Sequence, residues 1–315
     1  MSQPPYSPYP QQALPGCWWH PDRATGLSCV RCGRPACPDC LREASVGSQC
    51  VDCVQAGRQQ QRAQQRQYRS LDYGERTVAG AKLARRPIVT PVLIALNVLV
   101  YLITVLQSGS PMDNQNSQLQ QDGVLWPYGV AGGEWWRLIT SGFLHYGLLH
   151  IAVNMFALWV LGRDLELLLG KIRFTAVYFV SLLGGSVAVY QFSDPNGPTA
   201  GASGALYGLM GGLLVAVLRL KLNPGFAIGT IVLNLVITYA IPGISLYAHV
   251  GGLVVGVLAM AAMLYAPAKG RAGWQAGTVV VLLIALVGLY LYRDAQLAGV
   301  YCRYVGSELN CYLAR

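Results

Sequence analysis

Pro198-Thr199-Ala200-Gly201-Ala202-Ser203-Gly204-Ala205-Leu206-Tyr207-Gly208-Leu209-Met210-Gly211-Gly212 is the stretch whose reading decides the fold. A loop of small residues gives way here to an apolar helix. Ser203 falls at the helix N-terminus, where the first backbone N–H groups lack intrahelical partners. Those donors and the positive end of the helix dipole favour an anion. A hydroxyl beside free N–H donors is half of an acyl-transfer site. Behind it, Gly204, Gly208 and Gly212 recur at every fourth position. One helix face is therefore almost bare, and another helix can approach it closely. The rest of the chain has to supply that helix, a base and further oxyanion donors.

Composition says what surrounds this helix. The chain of 315 residues is 53% hydrophobic and only 12% charged, about half the ~25% charge usual in soluble domains. Its mean hydropathy is positive. From about residue 88 onward, apolar runs of about 17–23 residues succeed one another, lengths that suit membrane spans. Seven are expected, at about 88–106, 148–166, 174–192, 203–221, 226–241, 245–265 and 274–292. Met1 to Gln12 is rich in Pro, Gln and Tyr without an apolar core, so no signal peptide is expected there. The net charge of +9 sits mostly at span ends and in the segment 58–86. That is the distribution of the positive-inside rule rather than of a nucleic-acid surface. It predicts a cytoplasmic N-terminus, an extracytoplasmic C-terminus and a multi-pass protein of the plasma membrane.

The N-terminal part has a different chemistry. Residues 1–16 read as disordered. Then follow Cys17-x-x-His20, Cys29-x-x-Cys32, Cys37-x-x-Cys40 and Cys50-x-x-Cys53. Eight ligands suffice for two tetrahedral Zn²⁺ sites. The separation of the pairs predicts cross-bracing, with Cys17, His20, Cys37 and Cys40 on one ion and Cys29, Cys32, Cys50 and Cys53 on the other. A disulfide framework would need an oxidising compartment. Residues 17–56 resemble a B-box-type zinc finger, and a cytoplasmic protein partner is the expectation for such a module. Residues 57–86, with arginines among glutamines, read as a basic cytoplasmic linker. The catalytic core is expected at 87–266, and the seventh span with its tail at 267–315. In that tail Cys302 and Cys311 are expected to form a disulfide, being placed outside the membrane.

Topology turns scattered polar residues into a constellation. The second, fourth and sixth spans all begin on the outer side. His150 and Asn154, Ser203, and His249 each lie within about two helical turns of that side, at similar depth. Ionisable groups at membrane depth are costly and usually functional. Ala248, Gly252 and Gly256 form a second small-residue stripe, on the sixth span. Packed against Gly204, Gly208 and Gly212, this stripe brings His249 beside Ser203. Tyr207, one turn below Ser203, is then placed to support the imidazole. His249 is expected to act as the base for Ser203. The Ser203 N–H, the Asn154 amide and the His150 ring are expected to face the developing oxyanion. No carboxylate lies at the right depth to orient His249, which makes a dyad. Asn97, in the first span, is expected to bond across helices, His145 to be a structural hydrogen-bonder, and Arg137 and Glu166 to anchor a loop and a helix.

Gly201-Ala202-Ser203-Gly204, Ala248-His249 with Gly252, His145 and His150 with Asn154, and Trp136-Arg137 together resemble the rhomboid family of intramembrane serine proteases. The likeness covers about residues 85–266, with the motifs in order. It implies an all-α polytopic membrane protein with a six-helix catalytic core, here extended by a seventh transmembrane helix and the small zinc-binding module. It also implies cleavage of transmembrane segments of membrane-protein substrates near the outer leaflet of the lipid bilayer, with no cofactor for catalysis. Substrate entry would lie near the fifth span and the first loop. The chain lacks a His-Glu-x-x-His pair and a pair of intramembrane aspartates, which argues against metallo- and aspartyl proteolysis. The competing reading is a non-catalytic rhomboid-like adaptor that binds transmembrane helices, against which the intact Ser203 and His249 weigh. A solute transporter would call for broken helices and midplane charges.

Overall fold

The computed structural model describes residues 13–44, 47–70, 76–305 and 308–313; side chains are described except within 65–70 and 300–313. The chain divides into two compact units, Met1–Glu75 and Arg76–Arg315.

The first unit is built around its cysteines. A short hairpin, β1 (Leu41–Glu43) and β2 (Ser48–Cys50), leads directly into helix α1 (Val51–Ser70). Cys17, Ala36, Cys37 and Cys40 make a miniature core. Two expected boundaries shift. Residues 13–16 are not a tail: Gly16 bridges to Ala24, and the Thr25 N–H donates to the Pro15 carbonyl. Helix α1 runs across the expected module–linker border, carrying Cys53 in its first turn. Residues 1–12 of the expected disordered segment lie outside the described residues.

The second unit is helical. Its long helices are α2 (Val89–Ser108), α6 (Gly147–Leu169), α7 (Lys171–Phe192), α8 (Ser203–Arg219), α9 (Gly225–Ala240), α10 (Leu246–Tyr265) and α11 (Arg271–Gln296). All seven expected spans are present as helices. Five are long and apolar enough to cross a membrane, whereas α8 and α9 have 17 and 16 residues. At 1.5 Å per residue those two reach about 25 Å, less than the ~30 Å hydrocarbon layer. Ser203 is the first residue of α8. The loop between α2 and α6 is not irregular. It holds α3 (Gln118–Gly123), α4 (Pro127–Ala131) and α5 (Arg137–Thr140).

Residues 76–86 also depart from the expected solvated linker. Arg76 bridges to Lys82, and Ala79 and Ala81 are buried. Gln275 of α11 donates to the Ala79 carbonyl at 3.1 Å, and Ala81 packs where a side chain at Gly170 would stand. The start of α2 has no capping side chain of its own. Glu166 supplies one from α6. Its carboxylate accepts the N–H groups of Ile88, Val89 and Thr90 at 2.6–2.8 Å and the Thr90 hydroxyl at 2.8 Å. Orphan N–H groups and the dipole both favour an anion there. Asn97 donates to the Leu93 carbonyl of its own helix at 2.8 Å, and its side chain also faces the Tyr178 hydroxyl of α7 across the helix pair.

The core lies where α7, α8 and α10 meet. A Cβ at Gly252 would collide with the Gly204 carbonyl oxygen, and one at Gly256 with the Gly208 backbone. The two small-residue stripes thus face each other. A third face was not anticipated: Gly184 and Gly185 of α7 abut Gly251 and the Ala248 carbonyl. Helix α10 is therefore in backbone contact on two sides. Helix α9 is different: Ala227, Ile231 and Thr238 are its buried residues. After α11 the chain forms a hairpin, β3 (Val300–Val305) with β4 (Glu308–Leu313), in a register that pairs Cys302 with Cys311. Their sulfur atoms are not among the described side chains.

Candidate functional site

Ser203 begins α8 because the preceding loop is pinned in place. Leu125 and Thr199 exchange backbone hydrogen bonds at 2.9 and 2.8 Å, and the Gly201 N–H donates to the Ser141 carbonyl at 2.9 Å. The Ala202 N–H donates to His145 Nε2 at 3.4 Å. The His145 carbonyl in turn accepts from the Asn114 and Gln120 amides, both at 2.9 Å. Arg137, itself buried, ties the same loop together through Glu134 and the carbonyls of Gln121 and Val124. Gly201 has φ +126°, a conformation that L side chains rarely adopt, and a Cβ there would press on the His150 ring.

The packed stripes of α8 and α10 bring the two candidate reacting groups together. Ser203 Oγ lies 2.8 Å from His249 Nε2. The Tyr207 ring stacks on the imidazole, with centroids 4.0 Å apart and planes 14° from parallel. On the other side of the ring, His249 Nδ1 lies 2.7 Å from Thr238 Oγ1 of α9. Thr238 Oγ1 also contacts the Tyr207 hydroxyl at 2.7 Å and donates to the Asn234 carbonyl at 2.8 Å. His249, Tyr207 and Thr238 are all buried.

His150 approaches Ser203 from α6. The Tyr146 backbone N–H points at His150 Nδ1, 3.3 Å away, so Nδ1 accepts and the ring proton of the neutral form sits on Nε2. That nitrogen is directed toward Gly201 and Ser203. Asn154 is buried one turn further along, and its Nδ2 donates to the His150 carbonyl at 2.8 Å. The amide has a second N–H beyond that bond. His150 Nε2 lies against Gly201, two residues before Ser203, where the first N–H groups of α8 have no intrahelical partner. The arrangement is suited to acyl transfer: a serine hydroxyl, an imidazole nitrogen within hydrogen-bonding distance of it, and N–H donors at a helix start. Of the residues that sequence reasoning placed here, Ser203, His249, Tyr207, Gly201 and His150 adjoin one another, and Asn154 is bonded to the His150 carbonyl. Sequence reasoning missed Thr238. The polarity of the fifth span, through Asn234, Thr238 and Tyr239, was the available signal, but periodicity cannot say which polar residue faces the base.

The first unit holds two ligand clusters. Cys17, His20, Cys37 and Cys40 form one; Cys29, Cys32, Cys50 and Cys53 form the other. This is the cross-braced pairing. His20 Nδ1 lies 3.9, 3.5 and 3.4 Å from the sulfurs of Cys17, Cys37 and Cys40, and the Cys32 and Cys50 sulfurs are 3.7 Å apart. A tetrahedral ion with bonds of about 2.3 Å to sulfur and 2.0 Å to nitrogen needs ligand separations of about 3.5–3.8 Å. The donor sets fit a metal. Burial pushes the Cys40 thiol up to about 12, assisted by the neighbouring Cys37 and Cys17. At Cys17 burial acts in the same sense, but hydrogen bonds from the backbone of Cys37, Trp19 and His20 outweigh it and bring the thiol to about 6.

A family profile described as "Rhomboid domain" matches residues 132–266, which include Ser203, His249, His150 and Asn154. RHOMBOID-like protein 6, mitochondrial, of Arabidopsis thaliana is 33% identical over 227 residues, covering 62% of this chain and 73% of that protein. The chain belongs to the rhomboid family. Rhomboid protease GluP of Bacillus subtilis is 35% identical over 212 residues, 66% of this rhomboid but 41% of its own length, so the chain spans less than half of that relative. Rhomboid protease AarA of Providencia stuartii is 27% identical over 231 residues, 64% of this chain and 82% of that protein. The helical second unit is the rhomboid fold; the profile match begins at residue 132, beyond the whole of the cysteine-rich unit.

Proposed function

We propose that this rhomboid is an intramembrane serine endopeptidase acting through a Ser203–His249 dyad on transmembrane segments of membrane-protein substrates. The observation that carries the proposal is the 2.8 Å approach of Ser203 Oγ to His249 Nε2. Ser203 Oγ attacks the scissile carbonyl carbon while its proton passes to His249 Nε2. The carbonyl oxygen becomes an oxyanion, met by the Ser203 N–H, the second Asn154 N–H and His150 Nε2–H. Collapse breaks the C–N bond, and His249 returns its proton to the leaving amine. Water, deprotonated by His249, then hydrolyses the acyl-enzyme and regenerates Ser203. No cofactor enters these steps.

The site end of the bundle is assigned to the outer leaflet of the plasma membrane and the N-terminus to the cytoplasm. The support is the arginine-rich segment 58–86 and Lys269 and Arg271 at the opposite ends of the spans. The two clusters of the first unit are assigned to Zn²⁺, the ion for which Cys₃His and Cys₄ tetrahedra are usual. So small a core would then depend on its metal.

The test is cleavage of a transmembrane reporter in proteoliposomes. Wild-type protein is expected to cut near the outer end of the segment, and Ser203→Ala and His249→Ala to cut nothing while melting as wild type. Equal cleavage by a contaminant-free Ser203→Ala preparation overturns the assignment. Metal analysis of the full-length protein is expected to give two zinc ions per chain; one or none overturns the eight-ligand reading.

A further inference from the structure

A histidine base works through Nε2 only if the ring proton of its neutral form sits on Nδ1. In a triad a carboxylate holds it there. Here the partner of Nδ1 is the hydroxyl of Thr238, 2.7 Å away on α9. Counting donors and acceptors fixes the direction of every bond around that hydroxyl. It has one hydrogen, which goes to the Asn234 carbonyl at 2.8 Å. Its two lone pairs are left for two donors, the His249 Nδ1–H and the Tyr207 O–H, both at 2.7 Å. This assignment satisfies all three side chains, and it leaves the Nε2 lone pair facing Ser203 Oγ.

We infer that Thr238 is the positioning residue of the dyad, the third group that holds His249 in its base-competent tautomer, and that it does so from a helix with only three buried residues. The inference rests on the reading of Ser203 and His249 as nucleophile and base. When the Ser203 proton reaches Nε2, the ring becomes a cation and its bond to Thr238 becomes charge-assisted and stronger. The hydroxyl therefore helps the charged state more than the resting state. Because Thr238 is one of three buried residues on α9, the same bond makes the readiness of the base depend on where α9 sits. A shift of α9 that withdraws Thr238 by about 1 Å stretches that 2.7 Å contact beyond hydrogen-bonding range.

Two hydroxyl deletions, Thr238→Val (nearly isosteric) and Thr238→Ala (smaller), and one conservative variant, Thr238→Ser, test this. Reporter cleavage in proteoliposomes gives kcat and KM, fluorophosphonate gives the labelling rate of Ser203, and melting temperature reports folding. Both deletions are expected to lower kcat and the labelling rate by about 10-fold to 100-fold, the loss of one hydrogen bond to a group that becomes charged. KM is expected to stay within about twofold, since no substrate contact is removed, and Thr238→Ser to recover most of the rate. A hydroxyl-free variant that melts as wild type and keeps kcat within about twofold overturns the inference. So does a Thr238→Ser protein as slow as Thr238→Val. If wild-type protein does not label at Ser203, the dyad reading itself fails, which is a different result from wild-type labelling that Thr238→Val leaves unchanged.

Discussion

Helices α10 and α9 both reach the candidate active site, and they are held in opposite ways. α10 lies backbone to backbone against α8 and α7, with Gly252 on the Gly204 carbonyl, Gly256 on Gly208 and Gly251 beside Gly184. α9 leaves Phe226, Leu233 and Tyr239 largely exposed and buries three residues. The first arrangement suits a pair of reacting groups that has to be within hydrogen-bonding distance before substrate arrives. Close approach in a membrane comes from small residues, since lipid gives no hydrophobic drive to pack helices together. The second leaves most of the α9 side chains at least partly exposed. On the proposed function, the nucleophile and base sit on the closely packed pair and one orienting hydroxyl sits on α9.

The sharpest way to break this comparison is to make one substitution in both places. Gly252→Val forces a side chain into the Gly204 carbonyl and is expected to cost more than about 3 kcal/mol, with loss of activity and of the thermal transition. Gly229→Val, on α9, meets nothing within 4 Å and is expected to change the melting temperature by no more than a few degrees. Equal tolerance of both would show that α8 and α10 are not in backbone contact.

Asn154→Ala is next in size. It leaves the α8–α10 pair intact and removes one oxyanion donor, so kcat is expected to fall about 10-fold to 1,000-fold with little change in melting. A change confined to KM would remove Asn154 from the oxyanion site. Tyr207→Phe is expected to be mild, about threefold or less, because the ring still stacks on His249 and Thr238 still accepts the Nδ1–H. A loss as large as that of Thr238→Val would mean that Tyr207, not Thr238, sets the ring. The smallest effect is expected at the tail. The β3–β4 register puts Cys302 opposite Cys311, and with an external tail the pair is expected to resist an impermeant maleimide until reduced. Labelling that instead requires permeabilised cells and no reductant places the tail inside.

How far the sequence reached differs along the same division. The stripes Gly204-Gly208-Gly212 and Ala248-Gly252-Gly256 are periodic, and a period fixes a face, so the α8–α10 contact and the pairing of Ser203 with His249 were legible. The order of the four ligand pairs suggested the cross-braced grouping, which the two clusters follow. Gly184 and Gly185 were not singled out, because two adjacent glycines set no stripe. Thr238 was visible only as polarity in a short span. The packing of Ala79 and Ala81 against the bundle was hidden because the charges around them, Arg76, Lys82, Arg85 and Arg86, dominate the segment's composition. The helices of the first loop are each six residues or fewer, too short for periodicity to show.

The central claim is that the rigid α8–α10 pair presents Ser203 as an activated nucleophile. Fluorophosphonate labelling of purified protein, with the modified residue located by peptide mass, tests it most directly. The account predicts one label per chain, on Ser203, lost in Ser203→Ala and reduced to background in His249→Ala while both proteins melt as wild type. Labelling of His249→Ala at the wild-type rate, or a label on any other residue, contradicts it.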